Sequence, residues 1–212
     1  MKEIFPGVFK EGNRIYTDAL VPGSVYGEKI ISNKREWMAE RSKLGAAILK
    51  GMKELPITEG SIVLYLGAST GTTISHVSDI IKFEGIVYSV EFAERVFRNL
   101  TDLAGLRKNI APILADSRKP EQYAWVEECD AVYVDVAQPD ETEIAIRNAN
   151  EFLKKDGYLF VAVKSQSIDV TKQPQQVYME EAEKLKKAGF SILQITDLEP
   201  YERKHAMIVA RK

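Results

Sequence analysis

An α/β fold built around a seven-stranded, mixed sheet is what this sequence predicts, on three observations. From Ser61 onward, apolar runs of strand length alternate with longer stretches of helical character. The runs are near-continuous in Val, Ile, Leu and Tyr rather than alternating with polar residues. That marks strands covered on both faces, as in a mostly parallel sheet flanked by helices. The last two runs are separated only by residues 199–204. A parallel pair needs a crossover of about a dozen residues, so these two strands must run antiparallel.

Taken in order, the predicted strands are SIVLYL (61–66), IVYSVE (86–91), IAPIL (110–114), AVYVDV (131–136), YLFVAV (158–163), SILQITDL (191–198) and HAMIVAR (205–211). Helices are predicted near 74–83, 93–104, 140–155 and 173–188. In KFEGIVY, KKDGYLF and KKAGFSI a lysine-bearing helix end meets Gly85, Gly157 or Gly189 before a strand, which is helix-stop chemistry. Residues 1–32 read differently. Gly7, Gly12, Pro22, Gly23 and Gly27 interrupt short runs such as RIYTDAL and SVYGEKI, predicting a small β-rich N-terminal part, with residues 33–212 as the main domain. A helix beginning near Asn33, with Trp37, Leu44 and Ile48 facing inward, is expected to lead into the first strand of the main sheet. Six parallel-type strands and a final antiparallel one added by a short hairpin form an order that resembles the Rossmann-like class I SAM-dependent methyltransferases.

Composition narrows the function. With 212 residues, 45% of them hydrophobic, the chain can bury a full core. The first residues, MKEIFPGVFKEGN, lack signal-peptide character, and no run approaches the ~18 apolar residues of a membrane span, so a soluble, intracellular protein is expected. Cys129 is the only cysteine and reads as a small buried hydrophobe beside the 131–136 strand. No Cys/His pattern suggests a zinc site. The 29 Lys and Arg nearly balance the 31 Asp and Glu, which argues against gripping nucleic acid through a bulk positive field. If RNA is the substrate, either the basic residues are locally concentrated or another molecule delivers it.

The segment VLYLGASTGTT runs from a buried strand through a glycine turn into a helix start, a way of presenting backbone N–H groups to a ligand. Its spacing, Gly67-x-x-x-Gly71, departs from the dinucleotide pattern, which disfavours NAD. Glu91 ends the next strand, 20 residues after Gly71, where a carboxylate can accept both hydroxyls of an adenosine ribose. Asp116, just beyond the third strand, can accept a hydrogen bond from an adenine amino group. Phe92 offers a stacking face beside Glu91. Three successive strand ends thus offer a turn, a ribose acceptor and an adenine acceptor at the edge where open α/β sheets bind ligands. The ligand they indicate is S-adenosyl-L-methionine (SAM), its carboxylate meeting N–H groups within 67–73.

The segments GNRIYTDAL, KLGAAIL, LYLGASTGTTISHVSDI, VYSVEFAERVFRNL, LADSRKPEQY, VDVAQPDE, VAVKSQSIDV and ERKHAMIVARK span nearly the whole chain, and on them it resembles the fibrillarins, RNA 2′-O-methyltransferases. A long Gly/Arg-rich tail does not precede Ile4, so the resemblance is to the archaeal form, expected in the cytoplasm. The resemblance implies cofactor contacts at Thr72, Thr73, Glu91, Phe92, Asp116, Ser117, Asp135, Val136, Ala137 and Gln138, and a catalytic set of Lys43, Asp135, Lys164 and His205. It also implies rRNA and tRNA substrates chosen by a box C/D guide RNA, with a Nop-type scaffold protein and a kink-turn-binding protein as partners. No metal is implied, and no membrane.

The chemistry suits these residue types. A ribose 2′-hydroxyl is a poor nucleophile near neutral pH, so its oxygen must be positioned and its developing charge stabilised. Lys164 directly follows a strand, where partial desolvation beside a sulfonium would favour a proton-accepting lysine. Asp135 would hold that lysine and the hydroxyl in register, with Lys43 and His205 completing a ring of donors. Arg118, Lys119, Lys164, Lys172, Arg203 and Lys204 are expected to line a basic rim toward RNA. Two alternatives remain at the level of sequence: a small-molecule O-methyltransferase using Asp135 as a magnesium ligand, and a non-catalytic SAM-binding assembly subunit.

Overall fold

The computed structural model describes residues 1–212. The chain opens with three short strands, β1 (Lys2–Phe5), β2 (Val8–Glu11) and β3 (Arg14–Asp18), joined by two-residue turns at Pro6–Gly7 and Gly12–Asn13. β4 (Ile30–Ile31) and β5 (Lys34–Trp37) complete an antiparallel sheet of order β1-β2-β3-β5-β4. The helix expected from Asn33 is therefore not formed there. Residues 34–37 alternate between half-buried and buried, a period of two, because Arg35 and Trp37 both turn into the protein. The helix begins only at α1 (Lys43–Leu49), where Ser42 Oγ accepts the Gly45 N–H at 3.2 Å. Trp37, Leu44 and Ile48 nonetheless share one core, as expected of that inward face.

The main sheet contains β6 (Ile62–Leu66), β7 (Ile86–Glu91), β8 (Ile110–Leu114), β9 (Cys129–Val134), β10 (Leu153–Lys164), β11 (Ser191–Asp197) and β12 (His205–Arg211), in the order β11-β12-β10-β9-β6-β7-β8. Neighbours from β10 through β8 pair in parallel, and β12 alone is antiparallel to both its partners, as the short hairpin required. Helices cover both faces. α1, α2 (Thr72–Ile81) and α3 (Glu94–Leu106) contribute to one apolar core, while α4 (Glu141–Phe152) and α6 (Pro174–Lys187) contribute to the other. A one-turn helix, α5 (Ser165–Ile168), follows β10 directly. None of the helices is long and apolar enough to cross a membrane.

Three differences from the predicted elements have physical causes. β9 stops at Val134, so Asp135 and Val136 leave the sheet instead of ending it. α4 ends at Phe152 because Leu153 already pairs with Cys129, ahead of an irregularity that restores the register at Tyr158. Of the three expected helix-stop glycines only Gly189 has a positive φ (+96°); Lys82 takes one (φ 55°) at the end of α2, and Asp156 (φ 63°) lies within β10, past the end of α4. Gly85 and Gly157 serve close packing instead, since a Cβ there would lie 2.5 Å from Ser61 O and 2.9 Å from Lys154 O.

Candidate active site

Parallel strands bring their carboxyl ends to one edge, and the site is assembled there. After β6 the chain turns at Gly67, whose N–H, like that of Ala68, donates to Val90 O at 3.0 Å. Gly67 has φ +81°, and a Cβ on it would sit 2.2 Å from Asp135 O, so no side chain fits between the two loops. Ser69 is held in the left-handed region (φ 49°), and its N–H donates to Glu91 Oε2 at 2.8 Å. The other oxygen of Glu91 accepts the Ala93 N–H at 2.8 Å. Glu91 is only 7% exposed, not a solvated strand-end residue. Two backbone bonds fix its carboxylate, and each oxygen retains a lone pair for a ligand.

Around this carboxylate lies a cleft of about 280 Å³ lined by Gly67, Ser69, Glu91, Phe92, Asp116, Ser117, Asp135, Val136, Ala137 and Gln138. Phe92 is 69% exposed; its ring is free of the core and presents an aromatic face to the cleft. A second compartment of about 180 Å³ is lined by Arg41, Lys43, Tyr65, Thr70, Thr72 and Thr73, and shares Gly67, Ser69 and Asp135 with the first. Thr72 and Thr73 thus lie with the start of α2 and its unpaired N–H groups, apart from Glu91 and Asp116. Such a helix start favours an anionic group. The predicted cofactor residues divide between these two compartments, which share Asp135.

The four predicted catalytic residues converge on the same edge. Lys43 Nζ lies 2.8 Å from Asp135 Oδ1 and 3.1 Å from Oδ2, covering both oxygens. Burial alone would lower the Lys43 pKa, but the Asp135 charge and hydrogen bond outweigh it and hold the ammonium above its usual range. On the adjoining strands Lys164 and His205 are register partners across β10 and β12. His205 Nδ1 lies 2.7 Å from Arg203 O. A carbonyl only accepts, so Nδ1 carries the proton and Nε2 keeps its lone pair. Burial, reinforced by the Lys43 charge, pulls the His205 pKa below its ordinary value. The neutral ring therefore offers an acceptor at Nε2, where the sequence suggested a donor.

The expected basic rim is only partly free. Arg118 forks onto Asp140 (Nε–Oδ2 2.9 Å, Nη2–Oδ1 2.6 Å) and also donates to Gln138 Oε1 at 2.9 Å, bridging two loops of the cleft. Lys172 is paired with Glu180 at 2.7 Å and Asp169 at 3.6 Å. Lys119, Arg203 and Lys204 remain exposed. Sequence reasoning overlooked Arg41 and Tyr65, which line the second compartment, and Glu141, whose Oε1 accepts the Lys164 N–H at 3.1 Å. Arg41 lies two residues before Lys43, and Glu141 closes the VDVAQPDE segment, so position beside a predicted site residue was the available signal. Cys129 is buried and its thiol is pushed up to about 12, chiefly by desolvation.

A fibrillarin-like rRNA/tRNA 2′-O-methyltransferase of Sulfolobus acidocaldarius is 53% identical over 215 residues, covering 98% of this chain and 93% of that protein. Among solved structures, Aeropyrum pernix fibrillarin with natively bound S-adenosyl-L-methionine is 50% identical (TM-score 0.85; 93% of this chain and 88% of that one). The fibrillarin of a fibrillarin/Nop5p complex superimposes with a TM-score of 0.93 at 41% identity, covering 99% of both chains. The family profile described as Fibrillarin matches residues 1–212. With its sheet order, its cleft and this end-to-end match, the chain belongs to the fibrillarin family.

Proposed function

We propose that this chain is a SAM-dependent methyltransferase acting on ribose 2′-hydroxyls of rRNA and tRNA, within a ribonucleoprotein organised by a Nop-type scaffold. Its carrying observation is the cleft at the carboxyl edge, whose lining joins Glu91, Phe92 and Asp116 to Asp135, itself paired with Lys43, while Lys164 and His205 are register partners where β10 ends and β12 begins. The donor set fits the cofactor. Glu91 and Asp116 would accept from the ribose and adenine, Phe92 would cover the base, and the start of α2 at Thr72 and Thr73 would hold the carboxylate. When bound, SAM supplies an electrophilic methyl group.

The chain's own residues supply position and charge. Lys43 stays protonated against Asp135, so it acts as a fixed donor that steadies negative charge developing on the ribose oxygen. His205 Nε2 is the available acceptor for the hydroxyl proton, and Lys164, one strand away, grips the neighbouring phosphate. A guide RNA and a kink-turn-binding protein would choose and present the nucleotide. The near balance of 29 basic and 31 acidic residues supports delegated RNA recognition, since the enzyme then needs only local cations.

The test is reconstitution with scaffold, kink-turn binder and guide RNA, followed by mapping of the methylated ribose. Asp135→Ala combined with Lys164→Ala is expected to lower transfer at least about 100-fold. Undiminished methylation would reject the assigned roles. With Lys43 covering both oxygens of Asp135, transfer is expected to survive chelation of divalent ions. Activity lost to a chelator and restored by magnesium, with turnover of a catechol, would instead make the chain a metal-dependent small-molecule enzyme.

A further inference from the structure

Glu141 is the most unusual acidic residue near the site. It is the first residue of α4, it is 1% exposed, and no cation forms an ion pair with it. Its Oε1 accepts one bond, from the backbone N–H of Lys164 at 3.1 Å. That N–H has a particular need. β9 pairs with β10 only as far as Val134 opposite Val161, whereas β10 continues to Lys164. Beyond Val161 one side of β10 still faces β12, through Ala162–Met207, Val163–Ala206 and Lys164–His205, but the other side has lost its neighbour. The Lys164 N–H points to that vacated side, and an unpaired backbone donor there would be costly. Glu141 takes the place of the missing strand.

We infer that Glu141 is a positioning residue for methyl transfer: by accepting the Lys164 N–H where β10 has lost its neighbouring strand, it holds the backbone of Lys164, and through the strand pair His205, in register with Asp135. This inference rests on the function proposed above. The charges facing Glu141 come from every element around it. Asp135 beyond β9 and Glu181 of α6 disfavour a further anion, Lys43 of α1 favours one, and Lys184 is already engaged by Glu181 and Glu143. Desolvation is the largest influence, and although the Lys164 N–H pulls the other way, the Glu141 pKa is pushed up to about 9. An ionised Glu141 would place a second carboxylate near Asp135 and compete with it for Lys43. The neutral form avoids that competition and keeps the bond to Lys164.

Glu141→Ala in the assembled complex is expected to lower kcat about tenfold or more while the KM for SAM stays within about twofold, because a small displacement of a reacting group is costly whereas the cofactor cleft is untouched. Glu141→Gln, which keeps the shape and an acceptor oxygen without a charge, is expected to restore most of that loss. In the isolated chain, hydrogen exchange at the Lys164 amide should be at least about tenfold faster in Glu141→Ala and protected again in Glu141→Gln. Full kcat in Glu141→Ala, equal impairment of both variants, or an unchanged Lys164 exchange rate would each overturn the inference. A wild-type complex that leaves the guided ribose unmethylated would instead overturn the function, and the exchange measurement would still decide whether Glu141 holds Lys164.

Discussion

Lys43 and His205 sit at one site yet are driven to opposite protonation states. Asp135 overcomes burial to keep Lys43 charged, while burial and that same lysine keep His205 neutral. The pair is thereby sorted into donor and acceptor. Replacing Asp135 with Asn removes the charge but not the shape, and SAM affinity is expected to stay within about threefold while transfer falls about 100-fold. Calorimetry and single-turnover rates would separate the two effects, and equal losses in both would reject the sorting. A neutral His205 should also leave its mark on the pH profile. Its folded pKa is depressed, so transfer is expected to hold through neutral pH and fall only below the ordinary histidine range, with that acid limb absent in His205→Asn. Much of this site was legible in sequence, because Glu91 and Lys164 end strands, Asp116 and Asp135 come just after them, and strand ends are readable. Glu141 was not. An acid after Pro139-Asp140 reads as an ordinary helix start, and its burial arises from the end of β10 and from α6, elements far off in the chain.

At the scale of elements, the N-terminal sheet is fastened to the main domain by buried charge as well as by apolar contact. Arg35 on β5 donates to Glu28 Oε1 at 2.7 Å, to Asp79 Oδ2 of α2 at 2.6 Å and to Ser75 Oγ at 2.9 Å, and Arg107 reaches Asp79 Oδ1 at 2.7 Å. All four charged side chains are buried. His76, stacked on Trp37 at 4.8 Å, completes the join. Thr17 gives its hydroxyl proton to Asp79, so it accepts from His76 Nδ1–H, leaving Nε2 for the Tyr26 hydroxyl at 2.6 Å. Asp79→Ala would leave the buried Arg107 without its ion-pair partner and Arg35 with Glu28 alone, and is expected to cost about 3–5 kcal/mol, read by urea denaturation. A loss under about 1 kcal/mol would show that the network contributes little. The same network explains the misplaced helix. Lys34 to Arg41 carries charged residues of good helix propensity, and Arg35 reads as solvent-facing until its partner, 44 residues further on, is brought beside it. The seven main strands needed no such distant partner, since their apolar runs and short connections carry the topology locally.

For the whole molecule, these buried groups fix how stability depends on pH. Both histidines of the chain are held neutral in the fold, His76 well below its ordinary value and His205 below it. A depressed histidine pKa means that the unfolded chain takes up protons below pH ~6.5 that the folded one refuses, so stability falls on acidification, by about 1.4 kcal/mol per unit for His76 alone. Glu141 acts in the opposite sense. Its folded pKa is raised to about 9 from 4.5, so the folded state carries an extra proton between those values and gains stability as pH falls through them. Glu28, where backbone N–H groups and Arg35 overcome burial to hold the carboxyl at about 2, adds a loss below about pH 4.5. Cys129, pushed up to about 12 by burial, adds a loss as the medium rises past the ordinary thiol range. Above pH ~6.5 the Glu141 contribution governs the slope, and below it His76 offsets Glu141 while His205 adds a further loss until it protonates in the fold. Resistance to urea is therefore expected to peak near pH ~6.5, declining toward pH ~9 and more steeply below pH ~4.5. In Glu141→Gln the alkaline decline should flatten and the fall between pH ~6.5 and ~4.5 should steepen, because the opposing Glu141 gain is gone; a wild-type chain equally stable at pH ~7 and ~9 would mean that Glu141 ionises freely in the fold.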